Sequence, residues 1–441
     1  MLGVKFMKID VAGLKIDAIT KVELLEQIKQ RVSAKQKTFV TTPYSEFLYA
    51  SLRSKETRAL LNSADFSIPD GIGILWAQVF MSQPFTFSNF YLKIVQAWCQ
   101  VVWTGASILM KPSRIYKDIP EKIVGADLAW DLAELAAKNN FSIYLLGARG
   151  DIANKVADKF MSKFPGIKIA GTSNKDISDP SIFSDITKVA PDIIFVAFSR
   201  LSSEAWIKEN LKDLPASLAI GLGGTFDYIA GAKIAPPKFI RAIGLEWLYR
   251  LITQPSRLKR IIDATWGLVL GLVRYKVWTS TPLRKNGVAV VVNKYGKILL
   301  CRRVPAPAKH GGDPHVILND YWQFPQGGLD EGEDPLEGTK RELFEETSIK
   351  SIELIKVAEY INTYEWNNAN RPFITNRFKH RGQEQITAIL KFTGSDEEIH
   401  LDQRELIDYK WVNSQDVDKI ISPDRRRHAE IILAELAEIQ L

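Results

Sequence analysis

Acidic and basic side chains cluster in the last third of the chain, in the segment WQFPQGGLDEGEDPLEGTKRELFEETSI from Trp322 to Ile349. Glu342, Glu345 and Glu346 recur at i, i+3 and i+4, so on a helix their carboxylates share one face. Three negative charges so close repel one another unless a cation neutralises them, and oxygen ligands suit Mg²⁺ or Mn²⁺. Taken alone, the same pattern also describes a solvated acidic helix face, which is the commoner case.

The spacing around these glutamates favours the metal site. The residues that define it are, in order, Gly327, Glu333, Arg341, Glu342, Leu343, Glu345, Glu346 and Ile349. Their order and spacing resemble the Nudix box of the Nudix hydrolase family, with one departure at Ser348, where the family has glycine. Glycine there eases a left-handed helix C-cap, so we expect Ser348 to cost stability, on the order of 1 kcal/mol, and not catalysis.

The resemblance implies an α/β/α sandwich with a mixed sheet, which hydrolyses a nucleoside diphosphate linked to another group. By position, Glu342, Glu345 and Glu346 would hold Mg²⁺ or Mn²⁺, while Glu333 would pair with Arg341. The metal would lower the pKa of a water and neutralise charge on the pyrophosphate. Three candidates for the general base stay open, namely Glu342, Glu384 and Glu405.

Other stretches of the same region indicate a substrate subclass. YWQFPQGGLDEGEDP, RGQEQITAILKFTG and ELIDYKWV look like the Nudix branch that cleaves dinucleoside polyphosphates and removes pyrophosphate from RNA 5′ ends. Nearby basic side chains are suited to additional phosphates, although surface solubility explains them equally well. These residues are Arg302, Arg303, Arg377, Lys379 and Arg381.

Glycine turns near acidic residues form a second chemical pattern, in the earlier part of the chain. At such turns backbone N–H groups can approach a diphosphate or a ribose, but ordinary strand-to-helix turns use glycine too. The glycines concerned are Gly147, Gly221, Gly223 and Gly224. Asp70 precedes Gly71 in the sequence PDG, and without further context it reads as a turn residue.

From about Val40 to Arg260 the chain resembles the WecG/TagA/CpsF glycosyltransferase family. The similar stretches are LLNSADFSIPDGIGILWA, VGADLAWDLAELAAKNNFSIYLLGARGDIANKVADKF and GLGGTFDYIAGAKIAPPKFIRAIGLEWLYRLITQPSRL. The resemblance implies transfer of an N-acetylmannosamine-type sugar from UDP to a polyprenyl-diphosphate-linked acceptor, without a required cofactor. Asp70 would deprotonate the acceptor hydroxyl as it displaces UDP with inversion. The family's other site positions here are Thr42, Asp127, Glu204, Asp227 and the four glycines.

Three residues depart from that family's pattern. Tyr44 stands where asparagine is usual, Ser203 where glutamine is expected, and Lys122 where arginine is commoner. Neither a phenol nor a hydroxyl reproduces the paired donor and acceptor of an amide. The alternative to a bifunctional enzyme is therefore a Nudix hydrolase whose first part is a degenerate nucleotide- or membrane-binding module. A pair of non-catalytic scaffolds is a third reading, which the complete set of glutamates disfavours.

Apolar runs and glycines predict the elements that must position these residues. FSIYLLGARGDIANKVADKF from Phe141 and ASLAIGLGGTFDYIAG from Ala216 each read as strand, glycine turn and helix, and PDIIFVAFS at Pro191–Ser199 reads as a buried strand. The α/β class with a Rossmann-like parallel sheet follows. GVAVVVNKYGKILLCRR then predicts strand, turn and strand, and DPLEGTKRELFEETS predicts a helix from Pro335.

Length, composition and the positions of proline and glycine predict the domain organisation. A chain of 441 residues with globular composition is expected to hold more than one domain. We predict a Rossmann-like glycosyltransferase domain at 1–235, a basic amphipathic appendage and linker at 236–281, and a Nudix domain at 282–441. The appendage is typical of helices on anionic membranes and equally of an ordinary docked helix.

The remaining features concern location. A net charge of +7 and a pI of about 9.0 favour anionic partners. Cys99 and Cys301 provide no disulfide framework, and the first residues lack a signal-peptide core, which suits the cytoplasm. Phe90–Met110 approaches the length of a spanning helix, but Lys93 and other polar groups favour a buried or interfacial helix. We expect a cytoplasmic protein at the inner face of the plasma membrane, bound to its anionic surface.

Overall fold

The computed structural model describes residues 6–116, 118–199, 201–233, 262–304, 321–365 and 380–439, together with Tyr249 and Leu258. The chain divides into two compact units, Met1–Val277 and Trp278–Leu441. Most of the sequence-predicted basic appendage lies outside the described residues, as do Arg377 and Lys379.

A parallel sheet forms the centre of the first unit, after a small hairpin of β1 (Lys8–Val11) and β2 (Leu14–Asp17). Its strands are β3 (Thr38–Thr41), β4 (Phe66–Ser67), β5 (Ser142–Gly147), β6 (Lys168–Ser173), β7 (Ile193–Ala197) and β8 (Leu218–Gly221). They are ordered β4-β3-β8-β7-β5-β6, and every neighbouring pair is parallel. The carboxyl ends of the strands therefore lie along one edge of the sheet, where open α/β sheets bind ligands.

Helices connect these strands. They are α1 (Lys21–Ser33), α2 (Ser45–Arg53), α3 (Lys55–Asn62), α4 (Ile72–Met81), α5 (Phe90–Met110), α6 (Gly125–Asn139), α7 (Ile152–Lys163), α8 (Ser181–Val189), α9 (Ser202–Asn210) and α10 (Thr225–Ile229). A π-helical turn at Asp263–Gly267 leads into α11 (Leu268–Thr279). No helix among the described residues is both long and apolar enough to cross a membrane.

Alternate residues of the strands pack against opposite helical layers, as the pleat of a strand requires. Phe195 of β7 belongs to the apolar cluster that includes Phe160 of α7. Its neighbour Val196 belongs to a separate cluster with Ile182 of α8 and Ile207 of α9. Helices thus cover both faces of the sheet, which confirms the predicted doubly wound α/β fold.

The second unit is built on a mixed sheet. Its strands are β9 (Arg284–Val292), β10 (Ile298–Arg303), β11 (Trp322–Gln323), β12 (Gln326–Gly328), β13 (Ile352–Val357), β14 (Asn362–Glu365), β15 (Gly382–Phe392) and β16 (Leu406–Val412). Its helices are α12 (Pro335–Thr347), α13 (Val417–Ile420) and α14 (Arg426–Ala437). The main strand order is β11-β10-β9-β15-β13, with β9 and β15 parallel and the other neighbours antiparallel.

Two apolar layers again lie on opposite faces of this sheet. Val290 of β9 clusters with Ile432 of α14, whereas Val291 clusters with Leu343 of α12. The arrangement confirms the predicted α/β/α sandwich. The strand–turn–strand prediction is confirmed as well, because β9 and β10 are joined by a turn in which Gly296 has φ +72°.

Candidate active sites

Asp70 and Thr42 lie together at the carboxyl edge of the parallel sheet, just beyond β4 and β3. A Cβ added to Gly125, the first residue of α6, would lie 3.2 Å from Asp70 Oδ2 and 3.4 Å from Thr42 Oγ1. The Asp70 N–H donates to the carbonyl of Pro43 at 2.9 Å, which ties the two loops to each other. A side chain at 125 would therefore press against both polar groups.

Gly221 and Glu204 extend this cluster across the sheet. The Thr42 hydroxyl donates to the Gly221 carbonyl at 3.4 Å, and a Cβ on Gly221 would lie 2.3 Å from Glu204 Oε1. Glu204 is 2% exposed, and burial raises its pKa to about 8, against opposing contributions from its own backbone N–H and the Thr41 hydroxyl. The carboxyl is thus mostly neutral at pH 7.

The predicted glycines have different surroundings. A Cβ on Gly147 would lie 2.9 Å from the backbone carbon of Ala197, so close packing of β5 against the end of β7 explains this glycine. Gly223 has φ +45°, and Gly224 has no heavy atom within 4 Å of its added Cβ. Of the four, Gly221 contacts the acidic cluster, and Gly224 leaves open space at the start of α10.

The other two predicted acids, Asp227 and Asp127, have charged neighbours of their own. Asp227 forms an ion pair with Lys233, six residues further along the chain. Asp127 is exposed in the first turn of α6, where its charge contributes to raising the pKa of Lys21. Since α6 begins at Gly125, Asp127 lies within one helical turn of the contact with Asp70.

Tyr44 and Ser203, two of the departures from the family pattern, already have partners inside the protein. The Tyr44 hydroxyl donates to Glu46 Oε2 at 3.1 Å. The buried Ser203 hydroxyl accepts from the Phe198 N–H at 2.9 Å and donates to the Phe198 carbonyl at 3.2 Å. Ser203 therefore closes the loop after β7.

In the second unit, the predicted acidic helix is α12. Asp334 caps it by accepting from the N–H groups of Leu336 and Glu337, and Pro335 is its first residue, as predicted. Ser348 ends it in the left-handed conformation, with φ 63°, which confirms the expected C-cap. The Ser348 hydroxyl also donates to the His400 carbonyl at 3.1 Å.

Arg341 organises the carboxylates around this helix. Its Nε and Nη2 bond the two carboxylate oxygens of Glu333 at 2.8 and 3.0 Å, and this pairing lowers the pKa of Glu333 to about 2. Nη1 lies 3.0 Å from Glu342 Oε1 and 3.2 Å from Glu345 Oε1. Nη2 also donates to the Gly328 carbonyl at 3.1 Å, which holds the loop against the helix.

Glu342 and Glu346 occupy the buried side of α12. A Cβ on Gly327 would lie 1.7 Å from Glu342 Oε2, so only glycine leaves space for this carboxylate. Glu346 is 5% exposed and accepts from the Gln326 N–H at 2.9 Å. Burial, with smaller contributions from the charges of Glu405 and Glu342, raises the pKa of Glu346 to about 8.

Among the candidate bases, the surroundings of Glu405 and Glu384 differ. The charge of Glu405 contributes to the raised pKa of both Glu342 and Glu346, where burial is the leading cause. Glu384 lies on β15, paired across the sheet with Thr363 and Lys285. Glu405 thus belongs electrostatically to the acidic cluster.

The carboxylates of this cluster are the candidate metal ligands. Within the part of the chain that the structure describes, no three His, Cys, Asp or Glu side chains are placed to hold a metal ion. Arg341 lies against Glu342 and Glu345, while Glu346 is turned toward the Gln326 N–H. The donor chemistry nevertheless fits a hard cation, because carboxylates whose charges disfavour one another are grouped on one helix and its facing loop.

The basic side chains proposed for additional phosphates are only partly available. Arg302 lies 3.5 Å from Asp408, and Arg381 lies 3.1 Å from Glu365 and bonds the Thr279 carbonyl. Arg303 has a different setting, since its positive charge opposes in small part the rise that burial causes in the pKa of Glu346.

Sequence reasoning missed Gly125, Thr41 and Gln326 as members of the two sites. Gly125 begins the GADL stretch that carries Asp127, so its place beside a site residue was a usable signal. The backbone N–H of Gln326 and the hydroxyl of Thr41 act through contacts between distant segments, for which the local sequence holds no marker.

Comparison with known proteins gives a separate family match for each of two successive parts of the chain. Residues 9–103 and 88–282 match the Glycosyl transferase WecG/TagA/CpsF family, and residues 282–434 match the NUDIX domain. The N-acetylglucosaminyldiphosphoundecaprenol N-acetyl-beta-D-mannosaminyltransferase of Bacillus subtilis strain 168 is 29% identical over 236 residues, which are 53% of this chain and 79% of that protein. The protein of the same name from Staphylococcus aureus strain NCTC 8325 / PS 47 is 24% identical over 258 residues, 58% of this chain and 88% of its own length.

A solved structure is also similar to part of the chain. The C. elegans Ap4A hydrolase, in a binary complex, covers 36% of this chain and 100% of its own at 22% identity, with a TM-score of 0.26.

Proposed function

Since the chain belongs to the Glycosyl transferase WecG/TagA/CpsF family and carries a NUDIX domain after it, we propose that it is a bifunctional enzyme. Its first activity is transfer of an N-acetylmannosamine-type sugar from a UDP-sugar to a polyprenyl-diphosphate-linked acceptor, with inversion. Its second is Mg²⁺-dependent hydrolysis of a nucleoside polyphosphate, either a dinucleoside polyphosphate or an RNA 5′ end.

The cluster of Asp70, Thr42 and Gly125 supports the transferase most directly. Asp70 stands at the ligand-binding edge of a parallel sheet, and Gly125 leaves space in front of its Oδ2. In the proposed reaction, Asp70 accepts the proton of the acceptor hydroxyl as that oxygen bonds to the anomeric carbon and UDP departs. Thr42 and Gly221 form the adjoining wall of the donor site.

A neutral Glu204 suits this donor site. As a protonated acid it can donate a hydrogen bond, and it does not repel an anionic diphosphate. Its position against Gly221 places it beside the same strand end as Thr42. We therefore assign Glu204 to sugar or diphosphate binding and not to proton abstraction. For Asp127, Asp227 and the glycines at 147, 223 and 224, the same assignment rests on the family membership alone.

The transferase is tested by incubating purified protein with UDP-N-acetylmannosamine and a lipid-linked acceptor analogue. Product is expected with the wild type and not with Asp70→Asn, while both proteins bind UDP equally. Product formed by Asp70→Asn at the wild-type rate excludes Asp70 as the base. Failure of the wild type with every UDP-sugar supports the second candidate, a degenerate binding module, which the internal partners of Tyr44 and Ser203 favour.

For the hydrolase, the supporting observation is that Glu342 and Glu345 bond Arg341, while the charge of Glu342 acts on the buried Glu346 of the same helix. When bound by these carboxylates, Mg²⁺ or Mn²⁺ would lower the pKa of a water and offset charge on the pyrophosphate. The Glu333–Arg341 pair holds the loop containing Gly328 against α12. Among the candidate bases we favour Glu405 over Glu384, with Glu342 as the further possibility. The reason is that the charge of Glu405 contributes to the raised pKa of Glu342 and of Glu346.

Hydrolysis is tested with Mg²⁺ and two substrates, diadenosine tetraphosphate and triphosphorylated RNA. Wild-type protein is expected to release nucleotide or pyrophosphate, and Glu345→Gln to release neither at a comparable rate. Full turnover by Glu345→Gln removes that residue from the proposed metal set. The substrate that is turned over faster identifies the subclass.

The proposed acceptor is anchored in lipid, so we also propose a cytoplasmic location at the inner face of the plasma membrane, on its anionic surface. The domain limits 1–235, 236–281 and 282–441 are part of the same proposal. Flotation with anionic liposomes tests the location, and retained flotation of a chain lacking residues 255–278 excludes that segment as the anchor.

A further inference from the structure

Helix α5 of the first unit exposes a strongly apolar face for a surface helix. Its buried side chains include two polar ones, Thr104 and Ser107, beside Ala97 and Ile108. Large apolar side chains point outward, with Val102 70%, Trp103 60% and Met110 70% exposed. A helix on the surface of a soluble domain normally buries its apolar stripe and exposes its polar one.

The exposed side chains form one continuous face. They lie at helical spacing over the full length of α5, and they are Tyr91, Leu92, Val95, Cys99, Val102, Trp103, Ala106 and Met110. No charged residue is among them. Contiguous apolar surface of this kind marks a site of interaction with a protein or a membrane.

The charges around this face favour an anionic lipid surface over a protein partner. From Gly71 to Tyr116 the sequence contains the basic residues Lys93, Lys111 and Arg114 and no Asp or Glu. Lys111 and Arg114 are exposed, directly after the end of α5. An apolar helix face with aromatic residues and adjacent cations is the combination that binds at the interface of anionic bilayers.

On its buried side, α5 is hydrogen-bonded to α4 and to α11. The Trp76 indole N–H of α4 donates to the Thr104 hydroxyl at 3.0 Å. Lys276 of α11 donates to the Phe80 carbonyl at 2.6 Å and to Gln100 Oε1 at 2.5 Å, with its ammonium 4.4 Å from the Phe80 ring centroid. Because α4 begins two residues after Asp70, a surface that holds α5 also positions the proposed base.

We propose that the outward face of α5 lies in the interface of an anionic membrane, parallel to the bilayer, and presents the carboxyl edge of the sheet to a lipid-linked acceptor. This inference rests on the proposed membrane location and names the surface that provides it. In this proposal α5 acts as an interfacial helix and not as a span.

The two cysteines of the chain allow a direct test with the full-length protein. Cys99 is exposed on the outward face and Cys301 is buried, so an environment-sensitive thiol dye should label Cys99 preferentially. The labelled protein is mixed with vesicles of phosphatidylglycerol and phosphatidylcholine, or of phosphatidylcholine alone. A blue shift of the dye emission is expected with the anionic vesicles. Quenchers attached to the lipids should reduce the intensity of that emission.

Substitutions on the same face provide the second measurement. The double variant Val102→Glu, Trp103→Glu should bind anionic vesicles at least about tenfold more weakly, since two large apolar side chains leave the interface. Val22→Glu is the matched control, because Val22 is 76% exposed on α1. Circular dichroism should show that all these proteins fold alike, and Lys111→Gln with Arg114→Gln should weaken binding to anionic vesicles alone.

The outcomes separate this inference from the proposed location. If the wild type binds no vesicle, the location and the inference both fail. If the wild type binds but the double variant binds equally, or the Cys99 dye does not respond, the location stands and α5 is excluded. If the double variant instead abolishes a concentration-dependent dimer without changing vesicle binding, the face joins two copies of the chain and the inference is wrong.

Discussion

Glu204 of the first unit and Glu346 of the second are both buried carboxyls with a pKa of about 8, which burial raises most in each case, but their charged neighbours differ. Burial raises the pKa of Glu204, and nearby hydrogen bonds oppose the rise. For Glu346, the negative charges of Glu405 and Glu342 add to the effect of burial. A carboxyl made neutral by burial alone has no need of a cation, whereas one raised partly by other carboxylates becomes more acidic when a cation joins them.

The strongest test of this contrast compares Glu346→Gln with Glu204→Gln. Hydrolysis is expected to fall at least about 100-fold in Glu346→Gln, because the proposed metal set loses a charged ligand. Mg²⁺ should also raise the melting temperature of the wild type and of Glu204→Gln, but not of Glu346→Gln. Calorimetry with and without Mg²⁺ measures this, and an equal response of all three proteins contradicts the distinction.

A smaller effect is expected from Arg341→Lys. The lysine keeps the charge but cannot make the paired bonds of a guanidinium to Glu333, nor reach Gly328 and Glu342 together. Loss of this support should reduce hydrolysis about 10- to 100-fold and raise the Mg²⁺ concentration needed for half-maximal rate. Lys340→Gln is the control, since Lys340 pairs with Glu337 at the surface of the same helix. Equal rates for the two variants would show that the paired bonds of the Arg341 guanidinium do not organise the site.

The pH dependence of stability tests the raised pKa of Glu204. Its folded pKa of about 8 lies above the ordinary value of 4.5, so the folded state holds the proton more tightly than the unfolded chain. The contribution of Glu204 to stability is therefore complete below pH 4.5 and is lost as the pH rises toward about 8. Urea unfolding of the first unit across this range should show the decline in wild type and in the surface control Glu209→Gln. It should be weaker in Glu204→Gln, and parallel curves would refute the assignment.

Ser348→Gly should produce the smallest change. Glycine relieves the left-handed backbone strain, but the substitution removes the hydrogen bond from the hydroxyl to His400. These effects offset each other, so the free energy of unfolding should change by less than about 1 kcal/mol. Hydrolysis should stay at the wild-type rate, and a large loss of activity would show that Ser348 belongs to the site.

The regular elements were predictable because each depends on local pattern. Apolar runs that end at glycine predicted β5 and β8, since a strand covered on both faces must be apolar throughout. The start of the acidic helix was predictable from Pro335, whereas its cap by Asp334 was not part of the prediction. Spacing also placed Glu342 and Glu346 on one helix, but it held no sign that Glu346 would be buried against Gln326.

The contacts between distant segments were not predictable in this way. Nothing in LSSEAWI distinguishes the buried Glu204 from a surface glutamate, because its burial depends on contact with Gly221 at the end of β8. The approach of Gly125 to Asp70 likewise depends on how α6 is placed over the sheet. For α5 the sequence predicted a helix, whereas the choice of exposed face follows from its packing on α4.

Lys276 has a consequence for the synthesis of the chain. The carbonyl that it bonds belongs to Phe80, 196 residues earlier, so α4 and α5 leave the ribosome long before the lysine that joins them. Chains emerge from the N-terminus and domains tend to fold as they appear. The first unit can complete its packing only when translation has already entered the second. Until then α5 lacks the hydrogen bond from Lys276 to Gln100, and its apolar side chains are accessible to chaperones.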